Sequence, residues 1–240
     1  MTAAAATSLP TASVDAPPSP AQPLAIYLQP TPFLDSNHPT VIDFAKRATA
    51  GAEGAKQQAV ALARAVREAL RYSPWNVSNA KEDYAASRIA ARAYANGGHC
   101  VDKALLLAAA ARALGIPSRL HFANVRNHLG TDELERQLGT DLLVYHAYVE
   151  LHLHGRWLAA TPAFNSALCE RLGVAPLDFD GEHDSIFQAF DRRDGRFMEY
   201  VDDHGSFADL PLEAMIDAWR RHYPGFAAAG TWPRPARWST

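Results

Sequence analysis

The chain has 240 residues, of which 48% are hydrophobic and 20% charged, and a formal net charge of -3. That length and apolar share suffice for one substantial core, so one domain with decorations is the expectation. The small negative charge offers no basic field to nucleic acid or anionic lipid, and neither is expected as a partner. Two cysteines, Cys100 and Cys169, are too few for a disulfide framework and point to a reducing compartment, the cytoplasm.

No apolar run approaches the roughly 20 residues that a membrane-spanning helix needs. Residues 1–23 are rich in Ala, Pro, Ser and Thr and lack a cationic n-region and a leucine-type apolar run, so they read as a disordered leader rather than a signal peptide. Residues 24–240 are expected to form the single domain. Residues 24–32, punctuated by Pro30 and Pro32, suit a short strand or an extended arm. The spacing of Val41, Phe44, Ala45 and Ala48 predicts a helix over 39–50. A stronger helix over 56–71 carries Val60, Ala63, Val66, Arg67 and Leu70 on one stripe, and a third covers 85–95.

Next comes Gly97-Gly98-His99-Cys100, a turn whose two glycines allow positive φ or close backbone approach. It delivers Cys100 to the start of a helix, where free N–H groups and the macrodipole lower a thiol's pKa. That helix is apolar on every side from Ala104 to Ala111, the mark of burial all round. Gly115 fits its left-handed C′ position and Pro117 ends it. A buried core thiol is the plain alternative for Cys100.

Beyond Pro117 the period changes to alternation. Residues 118–123 read as a strand running into a polar loop at 124–128, and Asp132 with Glu135 marks a short helix start. The clearest strand covers 143–153, with Leu143, Tyr145, Ala147, Val149, Leu151 and Leu153 on one face and His146, Tyr148, Glu150 and His152 on the other. His154-Gly155 reads as a two-residue hairpin turn into a strand starting at Arg156. Such a turn pairs residues whose numbers sum to 309, setting His146 opposite Ala163 with Thr161 and Asn165 as diagonal neighbours. A hairpin over 186–190 and 197–201 and a final helix over 212–222 complete the chain. Helices first and strands after predict an α+β fold.

A thiol at a helix start and a histidine on a later strand meet the needs of a Cys-His nucleophilic pair. The strings Gly97-Gly98-His99-Cys100, Lys103-Ala104-Leu105-Leu106 and Arg112-Ala113-Leu114-Gly115-Ile116-Pro117-Ser118-Arg119 resemble the cysteine block of the transglutaminase-like superfamily. Tyr145-His146-Ala147-Tyr148-Val149-Glu150 and Gly155-Arg156-Trp157 resemble its histidine block, in a bacterial-type domain whose core covers about 60–165 with a C-terminal extension at 166–240. The resemblance implies a papain-like α+β core in which the nucleophile helix packs on an antiparallel sheet. It implies acyl transfer on protein or peptide amides through a thioester, as peptidase, deamidase or transglutaminase, with Cys100 as nucleophile and His146 as base. No cofactor and no metal is expected, since neither CxxC nor HExxH occurs.

The family's third residue, usually aspartate, falls on Thr161. A threonine holds an imidazole tautomer without stabilising imidazolium by charge. Asn165 is the other candidate, and Asp178, Asp180 or Asp184 would have to fold back to supply the charge. Trp75, Asn76 and His99 are unranked candidates for the donor that joins the Cys100 N–H at the oxyanion. The competing reading is a degenerate family member kept as a protein-binding module.

Overall fold

A computed structural model describes residues 24–74, 77–78, 80–127, 135–136, 138–186, 198–223 and 225, with Asn127 in its backbone only. The leader at 1–23, the expected helix start at Asp132 and most of the first strand of the 186–201 hairpin lie outside these residues. The helices are α1 (Pro39–Ala48), α2 (Gly54–Ala69), α3 (Ala86–Ala91), α4 (Cys100–Ala113), α5 (Ser166–Leu172) and α6 (Leu212–His222). The strands β1 (Ser118–Asn127), β2 (Leu142–Leu153), β3 (Arg156–Ala160) and β4 (Met198–Phe207) form one antiparallel sheet in the order β3-β2-β1-β4. Among the described residues no helix is long and apolar enough to cross a membrane.

The segment at 24–32 is not a strand: Leu24–Tyr27 forms a single 3-10 turn. The helices stand close to where their apolar spacing puts them, and α4 is their hub. All of residues 101–112 are buried. α1, α2 and α3 pack around α4 on one side, and β1 and β2 form the floor on the other. A helix with no polar face needs such a shell, because its burial is what makes it stable. Lys103, fully buried, ties it to α2 by donating from Nζ to the Arg67 carbonyl at 2.8 Å.

Two glycines at 97–98 serve close approach and not positive φ. Tyr72 bridges to Gly98 in parallel, and a Cβ at Gly97 would lie 2.7 Å from the Arg71 carbonyl oxygen. At the far end Gly115 adopts φ +76, as its C′ role requires, and the N–H of Ile116 returns to the Ala111 carbonyl.

The hairpin follows the two-residue reading. His154 (φ +51) and Gly155 (φ +79) make the turn, and Leu153 pairs with Arg156 through to Val149 with Ala160. There β3 stops, so the register that would set His146 against Ala163 is not continued as sheet. Instead the Thr161 N–H turns to the Ser185 carbonyl at 2.9 Å.

One expectation about the strands is corrected. Residues 124–127 are strand and not loop, because β1 and β2 shift register between Ala123 and Val125 and the Asn124 carboxamide accepts the Tyr145 N–H at 3.1 Å. Tyr145 takes φ +57 at this irregularity, so Val144 and Ala147 both reach the main core. Strand β4 pairs with β1, Leu120 opposite Phe207, and stands last in the strand order among the described residues, its expected hairpin partner at 187–190 lying outside them. A network on the outer face fastens it: Arg119 pairs with Glu150 at 2.6 Å, and His121 Nε2 meets Asp203 at 2.7 Å.

Arg112 closes the fold. Buried, it donates to the carbonyls of Gln29 (2.7 Å), Ser118 (2.8 Å) and Ala208 (2.7 Å). Arg112→Met would leave buried acceptors unmet, and urea denaturation is expected to register a loss of about 3 kcal/mol, with Arg112→Lys recovering part of it.

Candidate active site

Cys100 is the first residue of α4, and the turn before it is fully capped. His99 Nδ1 accepts the Asp102 N–H at 3.2 Å while the Asp102 carboxylate accepts the His99 N–H at 3.1 Å, a reciprocal capping box. Arg92 holds the other carboxylate oxygen of Asp102 at 2.8 Å. Such a clamp fixes the direction in which α4 presents its thiol.

The sulfur reaches the sheet beside His146. Its hydrogen-bonding backbone groups are the N–H of Ala147, the residue after His146, and those of Val101 and Cys100 at the helix start. The position of Ala147 explains why its N–H is available. The His152 N–H bonds to the Pro117 carbonyl on the β1 side. By strand alternation the Ala147 N–H points to the opposite edge, where β3 has already ended. Continued register would put Pro162 opposite Ala147, and a proline cannot extend the ladder.

His146 is 2% exposed and lies opposite Ala123, on the sheet face covered by α5, where Ala123, Val125, Cys169, Val174 and Met198 form a second core. Burial alone lowers its pKa to about 4. Cys100 keeps partial exposure as a residue, yet burial of the sulfur pushes the thiol up to about 11 against the N–H groups that favour thiolate. The helix-start lowering expected from the sequence is thus present and outweighed, so burial favours the neutral thiol at Cys100 and the neutral imidazole at His146.

The other candidates take these places. Thr161, 5% exposed, donates its hydroxyl proton to the Ile186 carbonyl at 2.9 Å, which leaves its oxygen to act as an acceptor. Asn165 stands at the start of α5 and its Oδ1 accepts the Tyr72 N–H at 3.0 Å. Asp178 pairs with Arg67 at 2.7 Å, Asp180 accepts the His183 N–H at 2.8 Å, and Asp184 accepts the Ala159 N–H at 2.8 Å. Trp75 and Asn76 lie outside the described residues. A cleft of about 480 Å³ borders Thr161, walled by Arg64, Arg67, Pro162, Ser166 and Phe179 among others.

Two phenols escaped the sequence reading. Tyr72 and Tyr223 lie within electrostatic reach of Cys100, and each is raised well above its ordinary pKa, by burial first and then by the thiolate charge. No local signal marks Tyr72, and nothing in the local sequence joins Tyr223 to the site. Its hydroxyl accepts the Val144 N–H and donates to the Leu142 carbonyl at 3.1 Å, while Trp219 Nε1 donates to the Val144 carbonyl at 2.8 Å. α6 therefore docks on β2 beyond the end of β3. Among the described residues no group of three or more His, Cys, Asp or Glu could hold a metal ion.

A family model for the transglutaminase-like superfamily matches residues 42–162, half of the chain, spanning both Cys100 and His146. The chain belongs to the transglutaminase-like superfamily. No curated protein matches it. Among solved structures, a Cytophaga hutchinsonii protein provisionally named a cysteine protease superposes with a TM-score of 0.44 at 18% identity, covering 77% of this chain and 53% of its own. The chain thus spans about half the length of that protein. The mixed helical and antiparallel architecture is that of a transglutaminase-like α+β core, and cysteine-type acyl transfer in general accords with the superfamily.

The buried imidazoles set a pH dependence. Unfolded histidine takes a proton near about 6.5, whereas burial keeps His146 and His99 neutral below that in the folded chain. Their stabilising contribution is present above about pH 6.5 and is lost as pH falls below it, for His146 towards about 4. Glu150, drawn down to about 2 against burial by His121 and Arg119, gives up its share only below its unfolded value of about 4.3. His121, raised despite burial by Glu150 and Asp203, loses its share only above about pH 6.5. Between about pH 6.5 and 4.5 the denaturation midpoint should therefore decline in the native chain, and decline less in His146→Asn.

Proposed function

We propose that this transglutaminase-like chain is a cysteine-dependent acyl transferase acting on amide bonds of proteins or peptides, with Cys100 as nucleophile and His146 as general base. The observation that carries the reading is the meeting of the Cys100 sulfur with the Ala147 N–H, next to His146, on the edge of β2 past the end of β3. The two free cysteines suit a reducing compartment, and we place the protein in the cytoplasm.

Since burial favours the neutral pair, proton transfer accompanies attack and does not precede it. As Sγ bonds to the carbonyl carbon, its proton passes to His146 and the carbonyl π pair moves onto oxygen. Collapse breaks the C–N bond, and the amine leaves with the proton that His146 returns. Water or a second amine then attacks the thioester, assisted by the same imidazole. The Thr161 oxygen, its own proton spent on Ile186, is suited to accept an imidazole N–H and fix the tautomer. Asn165 would act through Tyr72, whose N–H its carboxamide oxygen accepts. The cleft beside Thr161 offers room for the substrate chain.

A second reading, a degenerate module that binds protein partners without turnover, draws on the same burial: a thiol up to about 11, an imidazole down to about 4 and a threonine where the family has a charge. Iodoacetamide alkylation of Cys100 near pH 8 separates the two. A base-assisted thiol should be alkylated at least about tenfold more slowly in His146→Ala, with Cys100→Ala subtracting the contribution of Cys169. Equal rates with and without His146 would remove the enzyme reading and leave the module.

A further inference from the structure

A nucleophile that attacks a carbonyl needs a donor where the oxygen's negative charge develops, and the residue before Cys100 holds one unused. His99 accepts the Asp102 N–H at Nδ1. A neutral imidazole that accepts at one nitrogen carries its proton on the other, so Nε2 is the donor. Burial keeps the ring neutral even with Asp102 beside it. His99 is 4% exposed, and among the described residues its Nε2 has no hydrogen-bond partner. Buried donors are nearly always satisfied, so an orphan one calls for a use.

Its surroundings indicate what that use is. The His99 ring meets Trp219 in a T-shaped contact with centroids 6.0 Å apart, and Tyr84 lies at 6.3 Å on another side. Tyr223, the C-cap of α6, feels the charge of the Cys100 thiolate and bonds from its N–H to the Trp219 carbonyl at 2.8 Å. Residues four apart at the end of a helix share one face, about 5–6 Å from one another. One face of α6 therefore covers the imidazole with Trp219 and the thiol with Tyr223, so the two covered groups are neighbours.

We propose that His99 Nε2–H is the donor that receives the oxygen of the carbonyl attacked by Cys100, once Trp219 moves off the imidazole. The inference rests on Cys100 being the nucleophile. When the C–S bond forms and the carbonyl π pair shifts to oxygen, His99 hydrogen-bonds the oxyanion and gives up no proton. The thiol proton goes to His146, and on collapse the leaving group departs from the tetrahedral carbon. The backbone N–H of Cys100 is the second donor. His99 thus serves at once as the N-cap that orients α4 and as part of the oxyanion site.

The test compares two reactions of the full-length chain at one thiol. p-Nitrophenyl acetate acylates Cys100 through an oxyanion, whereas iodoacetamide alkylates it by displacement at a saturated carbon and forms none. His99→Ser keeps a capping oxygen for the Asp102 N–H and removes the donor. Expected is an acylation rate lower by about 10²-fold with alkylation within about twofold of the native chain. Unchanged acylation, or an equal fall in both rates, would overturn the proposal, the latter by reducing His99 to a cap. Trp219→Ala provides an arm independent of the folding of His99→Ser. Uncovering the imidazole should raise the ratio of acylation to alkylation, and a ratio unchanged or lowered overturns the proposal as well. Cys100→Ala keeps the parent reading separate, because acylation and labelling that persist in it would disqualify the nucleophile whatever His99 does.

Discussion

The structure depends on the burial of α4. A fourteen-residue helix without a polar side has no stable place except inside a shell, and the shell here is three helices and a sheet. Its backbone ends still require partners, since the first N–H and last C=O groups find none within the helix. His99 and Asp102 serve at one end, Gly115 and Ile116 at the other, and Arg112 gathers carbonyls from distant segments. The site is a by-product of this arrangement: the end of a rigid buried post is a place where one side chain can be aimed. The same burial works against ionisation of that side chain. Helix-start N–H groups favour thiolate, loss of water favours thiol, and in the resting state the second effect is larger.

β3 also matters by what it does not do. Had it run the length of β2, its carbonyls would have taken the N–H groups along that edge. It stops at Ala160, and Pro162 guarantees the stop. Sulfur takes the Ala147 N–H, and side chains of α6 take both backbone groups of Val144. The candidate site thus occupies a gap in a hydrogen-bond ladder, walled by aromatic groups from the far end of the chain.

Much of this was legible in the sequence because it is local. Helical spacing located α1 and α2; an unbroken apolar run between a glycine turn and the Gly115-Pro117 stop located α4; alternation located β2; and His154-Gly155 fixed the register of β2 and β3 as far as Ala160. Cys100 and His146 stood out by context, and the superfamily match covers both. What escaped was non-local or cooperative. Tyr145 at φ +57 lies where no glycine announces an irregularity, and Asn124 reads as loop because its carboxamide does the work of a backbone group. β4 pairs with β1, some eighty residues earlier, a partner that no local pattern announces. The direction of the thiol's pKa also could not be read from its position in a helix, since it turns on what covers the helix end.

The pairing of β4 with β1 has a consequence for biosynthesis. β1 leaves the ribosome long before β4, whose pairing with it begins at Met198 and ends at Phe207, and Arg112 waits as long for the Ala208 carbonyl. Until then the emerging chain exposes one unpaired sheet edge and one buried cation short of an acceptor. Contacts of such long sequence separation form slowly, and open strand edges recruit other chains. Translation of the last third is therefore the interval in which that edge of β1 stays open, and a chain ending just before β4 is expected to aggregate and not to form a smaller working domain.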